Sequence, residues 1–120
     1  MTKKILVIED DNSIRELLAE LLETEGYIVR SDANGKEGLQ SLKNGFAPDL
    51  ILVDLMMPIM DGYAFREEQL KKTDWAKIPT IVMSAEAGAK EKLKHYHVTA
   101  FLSKPVELDL ILNTVALHLK

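Results

Sequence analysis

The sequence predicts an α/β domain in which a parallel sheet is covered by helices on both faces. Five short apolar runs rich in β-branched residues, ILVI at 5–8, YIV at 27–29, LILV at 50–53, TIVM at 80–83 and AFL at 100–102, start roughly 20 to 30 residues apart, the length of a strand followed by a helix. The runs also lack polar alternation, and strands apolar on both sides belong to sheets buried on both sides. Strands and helices in alternation give right-handed crossovers and a doubly wound, three-layer domain.

After the first strand, Ile14, Leu17, Leu18, Leu21 and Leu22 keep the i, i+3, i+4, i+7, i+8 spacing of an amphipathic helix. Asp11 or Asn12 caps its start and Gly26 its end. The second strand leads to a helix that starts at Asn34, turns Leu39 and Leu42 inward and stops at Gly45. Pro48-Asp49 then enters the third strand. The segment YAFREEQLKK at 63–72 is helical by propensity, but Tyr63, Phe65 and Leu70 form a thin stripe, and Gln69 stands where Phe65 wants an apolar i+4 mate. Trp75 is a packing residue between helix and strand. Beyond the fourth strand, AEAGAKEKLKHYH offers a short helix with Ala89, Leu93 and Tyr96 on one face. The last segment, VELDLILNTVALHLK, directs Leu108, Ile111, Leu112, Val115 and Leu119 inward and runs to Lys120. Leu110 and Leu117 lie on another side of it, as scattered surface apolar area or as a contact for a partner.

Length and composition bound the rest. A chain of 120 residues suits one domain spanning 1–120, and 47% apolar with 28% charged residues is a globular composition. No apolar run approaches the roughly 18 residues of a membrane span, and the N-terminus lacks a signal peptide's apolar region and cleavage site. The absence of cysteine rules out disulfides and thiolate metal sites. The expectation is a cytoplasmic protein without membrane insertion. A net charge of -4 with scattered Lys and Arg argues against nucleic acid as a direct partner.

In a doubly wound sheet the ligand site lies beyond the carboxyl ends of the strands, where the winding reverses. Read in that order, the ends carry Glu9-Asp10-Asp11, then Asp54, then Ser84-Ala85, then Ser103-Lys104-Pro105. Crowded carboxylates repel unless a cation lies between them, and carboxylate oxygens with water or a backbone carbonyl are what Mg²⁺ accepts. Asp11 is better read as a helix cap. Lys104 supplies a point charge for a phosphate or carboxylate, as an anion site or as an ion pair with the acids; Pro105 after it can fix its direction. Ser84 bonds backbone or donates to an anion. A flavin or dinucleotide is excluded, because its phosphate would meet acids where a Gly-, Ser- or Thr-rich loop is needed. His95, His97 and His118 fall on or beside late helices, away from the strand ends, and are surface residues.

These residues resemble the receiver domain of two-component response regulators, above all the single-domain chemotaxis and phosphorelay members. The likeness runs through KILVIEDDNSIRELL, PDLILVDLMMPIMDG, PTIVMSA and AFLSKPV, and rests on Asp-x-x-Met-Pro-x-x-Asp-Gly with the paired acids and Lys-Pro at their strand ends. It implies a flavodoxin-like sheet of order 2-1-3-4-5. It implies a phosphorylation-dependent signalling switch, with Asp54 as phosphoacceptor from a sensor histidine kinase, a phosphotransfer protein or a small donor such as acetyl phosphate. It implies Mg²⁺ on Asp10, Asp54 and the backbone carbonyl of Met56, with Glu9 acting through water, and phosphoryl oxygens held by Ser84, Lys104 and the Ala85 amide. Ser84 and Phe101 would be the switch pair, acting on a downstream protein target and in some members on a phosphorylation-dependent homodimer.

Some features depart from the family's usual pattern. Phe101 replaces a common tyrosine, the chain from Ser84 to Phe101 is somewhat short, and Arg66 and Gln69 occupy usually apolar positions. Met56 and Glu86 flank the acceptor at positions that influence phosphoryl lifetime. With the last helix closing the chain, output is expected through a protein contact, a relay or a domain outside this sequence. No enzyme activity is expected beyond the domain's own phosphorylation and dephosphorylation. A haloacid-dehalogenase-type phosphatase also pairs a strand-end Asp with Mg²⁺, but it wants an acid two residues on, where Met56 stands. A receiver-like interaction module that takes no phosphate is the other alternative.

Overall fold

The protein is described by a computed structural model covering residues 2–119. The strands are β1 (Lys4–Ile8), β2 (Ile28–Asp32), β3 (Leu50–Asp54), β4 (Thr80–Ser84) and β5 (Ala100–Ser103). The helices are α1 (Asn12–Thr24), α2 (Gly35–Lys43), α3 (Gly62–Leu70), α4 (Thr73–Ala76), α5 (Ala89–Lys92), extended by a 3₁₀ turn over Leu93–His95, and α6 (Leu108–His118). All strand pairs are parallel, in the order β2-β1-β3-β4-β5. The winding reverses between β1 and β3, so the carboxyl ends of those strands open a crevice there.

Side-chain alternation along each strand divides the core in two. Ile5, Val7, Leu50, Leu52, Ile81 and Met83 point to the face covered by α1 and α6, where Leu18, Leu22, Ile111 and Val115 meet them. Leu6, Ile8, Ile51, Val53 and Val82 point to the other face, against Leu39 and Leu42 of α2, Phe65 of α3, and Ala89 and Leu93 of the α5 segment. The caps follow the sequence: Asp11, Asn34 and Asp61 side chains accept from the N–H groups of Ile14, Glu37 and Ala64, each worth about 1 kcal/mol. α1 ends before Gly26 and α2 before Gly45.

Some elements differ from expectation. Ile14 and Leu17 of α1, and Leu108 of α6, are exposed; only Leu18, Leu22, Ile111 and Val115 of these helices are fully covered. The exposed three line a cleft between α1 and α6 that reaches Lys104 and Pro105. Leu110 and Leu117 are also exposed. The short α4 has no apolar period to announce it; Trp75 within it packs on the α2 side of the core. The predicted helix end at Lys120 lies outside the described residues.

α3 buries Arg66 and Gln69 beside Phe65. Arg66 donates to the carbonyls of Tyr96 and His97, each at 2.9 Å, and to Thr80 Oγ1 at 3.0 Å. Gln69 donates to the Trp75 carbonyl at 2.9 Å and to Thr80 Oγ1 at 3.1 Å. The missing apolar mate of Phe65 is thus a polar node that ties α3, α4, β4 and the approach to β5 together. Burial lowers the pKa of Arg66, yet a guanidinium remains charged across the ordinary pH range, so every donor needs the acceptors it has here.

Candidate functional site

Parallel register brings the carboxyl ends of β1, β3, β4 and β5 to one edge of the sheet, and Glu9, Asp54, Ser84 and Lys104 stand at those ends. The Lys104 ammonium donates to Glu9 Oε1 at 2.7 Å and to Asp54 Oδ2 at 3.0 Å. The other Glu9 oxygen accepts from the Asp11 N–H at 3.2 Å, and Asp54 Oδ1 accepts from the Met56 N–H at 3.4 Å. Glu9 is 1% and Asp54 4% exposed, whereas the Lys104 side chain keeps 21% of its surface in solvent. A half-open lysine thus bridges two buried carboxylates.

Asp10 adds a third, solvent-facing carboxylate. One oxygen each from Glu9, Asp10 and Asp54 lie within 4.8 Å of one another. Burial and the neighbouring Glu9 raise the Asp10 pKa, with Lys104 opposing only in part. For Lys104, burial pulls the pKa down, but the hydrogen bonds and charges of Glu9 and Asp54 outweigh it and leave it raised. One ammonium faces three acids, so the cluster carries excess negative charge on hard oxygen donors. That donor set fits a divalent cation of the Mg²⁺ type.

The backbone around the site is closely held. Gly62 N–H donates to the Leu55 carbonyl at 2.9 Å and Leu55 N–H to the Met83 carbonyl at 3.2 Å, while Lys104 N–H donates to the Ser84 carbonyl at 2.9 Å. A Cβ on Gly62 would fall 2.5 Å from the Asp54 carbonyl oxygen and 2.8 Å from Leu55 Cα; only glycine lets α3 begin so close behind Asp54. The Lys104-Pro105 peptide is cis. Arg15 reaches back from α1 to the Glu9 carbonyl at 2.8 Å.

Of the residues singled out from sequence, Glu9, Asp10, Asp54 and Lys104 converge directly. Ser84 is buried at its strand end, its Oγ accepting from the Glu86 N–H at 2.9 Å, and Ala85 follows it, exposed. Met56 is exposed, with its amide on Asp54. Phe101 pairs with Val82 and packs, half-buried, on the α5 side. Asp11 is a helix cap, as its position suggests. His95 and His97 are exposed and His118 half-buried, none near the strand ends. Sequence reasoning did not find that Tyr63 donates to Glu86 at 3.2 Å; the two are too far apart in the chain for any spacing rule to connect them.

Residues 5–116 match the family model of the response regulator receiver domain. Among curated relatives, the probable transcriptional regulator ycf29 of Porphyra purpurea is 32% identical over 96% of this chain and 56% of its own length. The chain therefore spans about half of that relative. The chemotaxis protein CheY of Halobacterium salinarum is 30% identical over 97% of this chain and 96% of its own. Among solved structures, the chemotaxis response regulator CheY4 of Vibrio cholerae superposes with a TM-score of 0.89 at 27% identity, covering 98% of this chain and 99% of that one.

Proposed function

The chain belongs to the response regulator receiver domain family of two-component signalling, and from that premise we propose that it is a phosphorylation-dependent switch with Asp54 as acceptor. The observation that carries this reading is the convergence of Glu9, Asp54 and Lys104 within hydrogen-bond distance at three strand ends, with Ser84 at the fourth.

Asp54 attacks the phosphorus of a donor, forming a carboxyl O–P bond while the donor's P–N or P–O bond breaks and its electrons leave with the imidazole or acetate. Phosphoryl transfer asks the protein mainly for positioning and for neutralisation of the equatorial oxygens. Lys104, already on Asp54, supplies one positive charge; the Ser84 hydroxyl and the Ala85 amide supply donors. Asp10, Asp54 and the Met56 carbonyl, with Glu9 through water, would hold Mg²⁺, which supplies further charge neutralisation when bound. Phosphorylation replaces one carboxylate charge by nearly two beside Ser84, and Ser84 with Phe101 would pass the change to the partner-binding face.

Apolar residues around this edge support a protein donor, a sensor histidine kinase or phosphotransfer protein. Ile14, Leu17 and Leu108 are exposed and line the cleft that reaches Lys104, Met56 and Ile59 in the segment after Asp54 are exposed as well, and exposed apolar residues beside a charged pocket suit a docking helix. The phosphorylated state would engage a downstream protein or a second copy of the chain. Among the described residues no helix is long and apolar enough to cross a membrane; the cytoplasmic site of action is part of the proposal.

The test is incubation with acetyl phosphate and Mg²⁺, followed by intact mass. One added phosphoryl group, labile to hydroxylamine, lost in Asp54→Asn and blocked by EDTA, is the expected result. Sustained phosphate release from small esters, or no adduct from acetyl phosphate or any competent kinase, would overturn the proposal.

A further inference from the structure

Glu86 joins the strand-end pocket to a cleft on the far side of its loop. Its N–H donates to Ser84 Oγ at 2.9 Å, while its carboxylate accepts from the Tyr63 phenol at 3.2 Å and the Lys92 ammonium at 2.6 Å. The Tyr63 ring lies 5.4 Å from that of Tyr96, the planes tilted by 55°. Tyr96 in turn donates to Glu67 at 3.1 Å. Tyr63, Glu67, Leu70, Lys92, His95 and Tyr96 line an open cleft of about 680 Å³ between α3 and the α5 segment, and Glu86 reaches it through Tyr63 and Lys92.

We propose that this chain of contacts makes the α3–α5 cleft a second surface that reads the state of the pocket, with Tyr63 as the residue that carries the change. The inference rests on Asp54 being the phosphoacceptor. If Ser84 turns its hydroxyl onto a phosphoryl oxygen, passing between staggered rotamers moves Oγ by about 2 Å. A hydrogen bond stretched that far is lost, and the Glu86 amide is freed. The loop is built to respond: Ser84 and Ala89 are buried, but Ala85, Ala87 and Gly88 between them are exposed, and Gly88 takes a φ of +78°. Glu86 is the one residue of that loop tethered to α3.

When Glu86 shifts, Tyr63 loses its acceptor and its ring repacks. Burial, reinforced by the charge of Glu86, holds the Tyr63 phenol protonated, with its pKa pushed up to about 12, so it stays a donor through the neutral range. Tyr96 cannot simply follow, because Arg66 grips its carbonyl and that of His97 at 2.9 Å each. The displacement therefore appears as a changed contact between the two rings. Phe101 has no phenol to bond with; Tyr63, on the other side of the loop, does.

Tyrosine-selective ring labelling and NMR test this on the whole chain, which has three tyrosines. Tyr27, packed on the α1–α6 side of the sheet, is the internal reference. In unphosphorylated protein, Ser84→Ala should shift the Tyr63 resonances several-fold more than those of Tyr27. Phosphorylation by acetyl phosphate and Mg²⁺, followed by intact mass, should shift Tyr63 and Tyr96 together. At equal phosphorylation, Tyr63→Phe should at least halve the Tyr96 shift, which a residue that merely filled space would not do, since the ring is kept. If Ser84→Ala leaves Tyr63 in place, or fully phosphorylated protein keeps both resonances unmoved, the relay is wrong while the acceptor assignment stands. If no phosphoprotein forms with acetyl phosphate or a competent kinase, both fall.

Discussion

Replacing Lys104 by methionine keeps much of the side chain's bulk and removes the cation that, among the described residues, touches both Glu9 and Asp54. Breaking a buried ion pair by deleting one partner typically costs about 3–5 kcal/mol. Because the Lys104 side chain is 21% exposed, water can enter beside the orphaned carboxylates, and the expected loss in EDTA is about 2–3 kcal/mol. With a urea slope of about 1.5 kcal/mol per M, the unfolding midpoint falls by about 1.3–2 M. A small domain's total stability of about 5–15 kcal/mol survives that loss. Mg²⁺ at a hundredfold excess over its dissociation constant returns about 2.7 kcal/mol. It should stabilise Lys104→Met more than the parent, in which the ammonium competes for the same oxygens. The pH dependence has a definite sign. Lys104 titrates above the ordinary lysine value, so its stabilising contribution is complete below that value and disappears as pH rises through the raised one. The gap between parent and variant should therefore close at strongly alkaline pH. A midpoint shift under about 0.3 M in EDTA, or equal gains from Mg²⁺ in both proteins, would refute the reasoning.

Thr80→Val leaves Arg66 and Gln69 each without one buried acceptor; at about 1–3 kcal/mol per orphaned donor, urea unfolding should show a loss of about 2–6 kcal/mol, and a loss under about 0.5 kcal/mol would contradict the node. Gly62→Ala drives a Cβ into the Asp54 and Leu55 backbone, so thermal unfolding should reveal about 2 kcal/mol of destabilisation and phosphorylation should slow; normal stability and labelling would mean that the close approach does not matter. Asp10→Asn removes a carboxylate whose folded pKa is raised. Its charge penalises the fold above that raised value, and the penalty fades as pH falls toward the unfolded value. Near neutral pH without metal the variant should therefore unfold at higher urea than the parent, and should lose Mg²⁺ affinity by calorimetry. Unchanged affinity would remove Asp10 from the ligand set.

The central carboxylates and lysine were legible because their positions are set by topology: a residue at a strand's carboxyl end in a parallel sheet has one place to go. Glu9, Asp54 and Lys104 follow from locating apolar runs and reading the next residues. Arg66 and Gln69 were visible only as a defect in a helix stripe, since their acceptors include backbone carbonyls of Trp75, Tyr96 and His97, which carry no side-chain signature. Ile14, Leu17 and Leu108 kept perfect helical spacing yet lie outside the core, because α1 and α6 leave a cleft between them that only tertiary packing defines. The contact of Tyr63 with Glu86 depends on how the loop after β4 folds back on α3, and no local pattern encodes it.

The most direct test locates the phosphoryl group chemically. Borohydride reduces an aspartyl phosphate at its acyl carbon and releases phosphate, leaving homoserine. Protein treated with acetyl phosphate and Mg²⁺, reduced and mapped by peptide mass, should carry homoserine at position 54 and nowhere else, with none formed in EDTA. Reduction at Glu9 or Asp10 instead, or no reduced residue in protein exposed to acetyl phosphate or a competent kinase, would contradict Asp54 as the residue whose covalent state the domain reports.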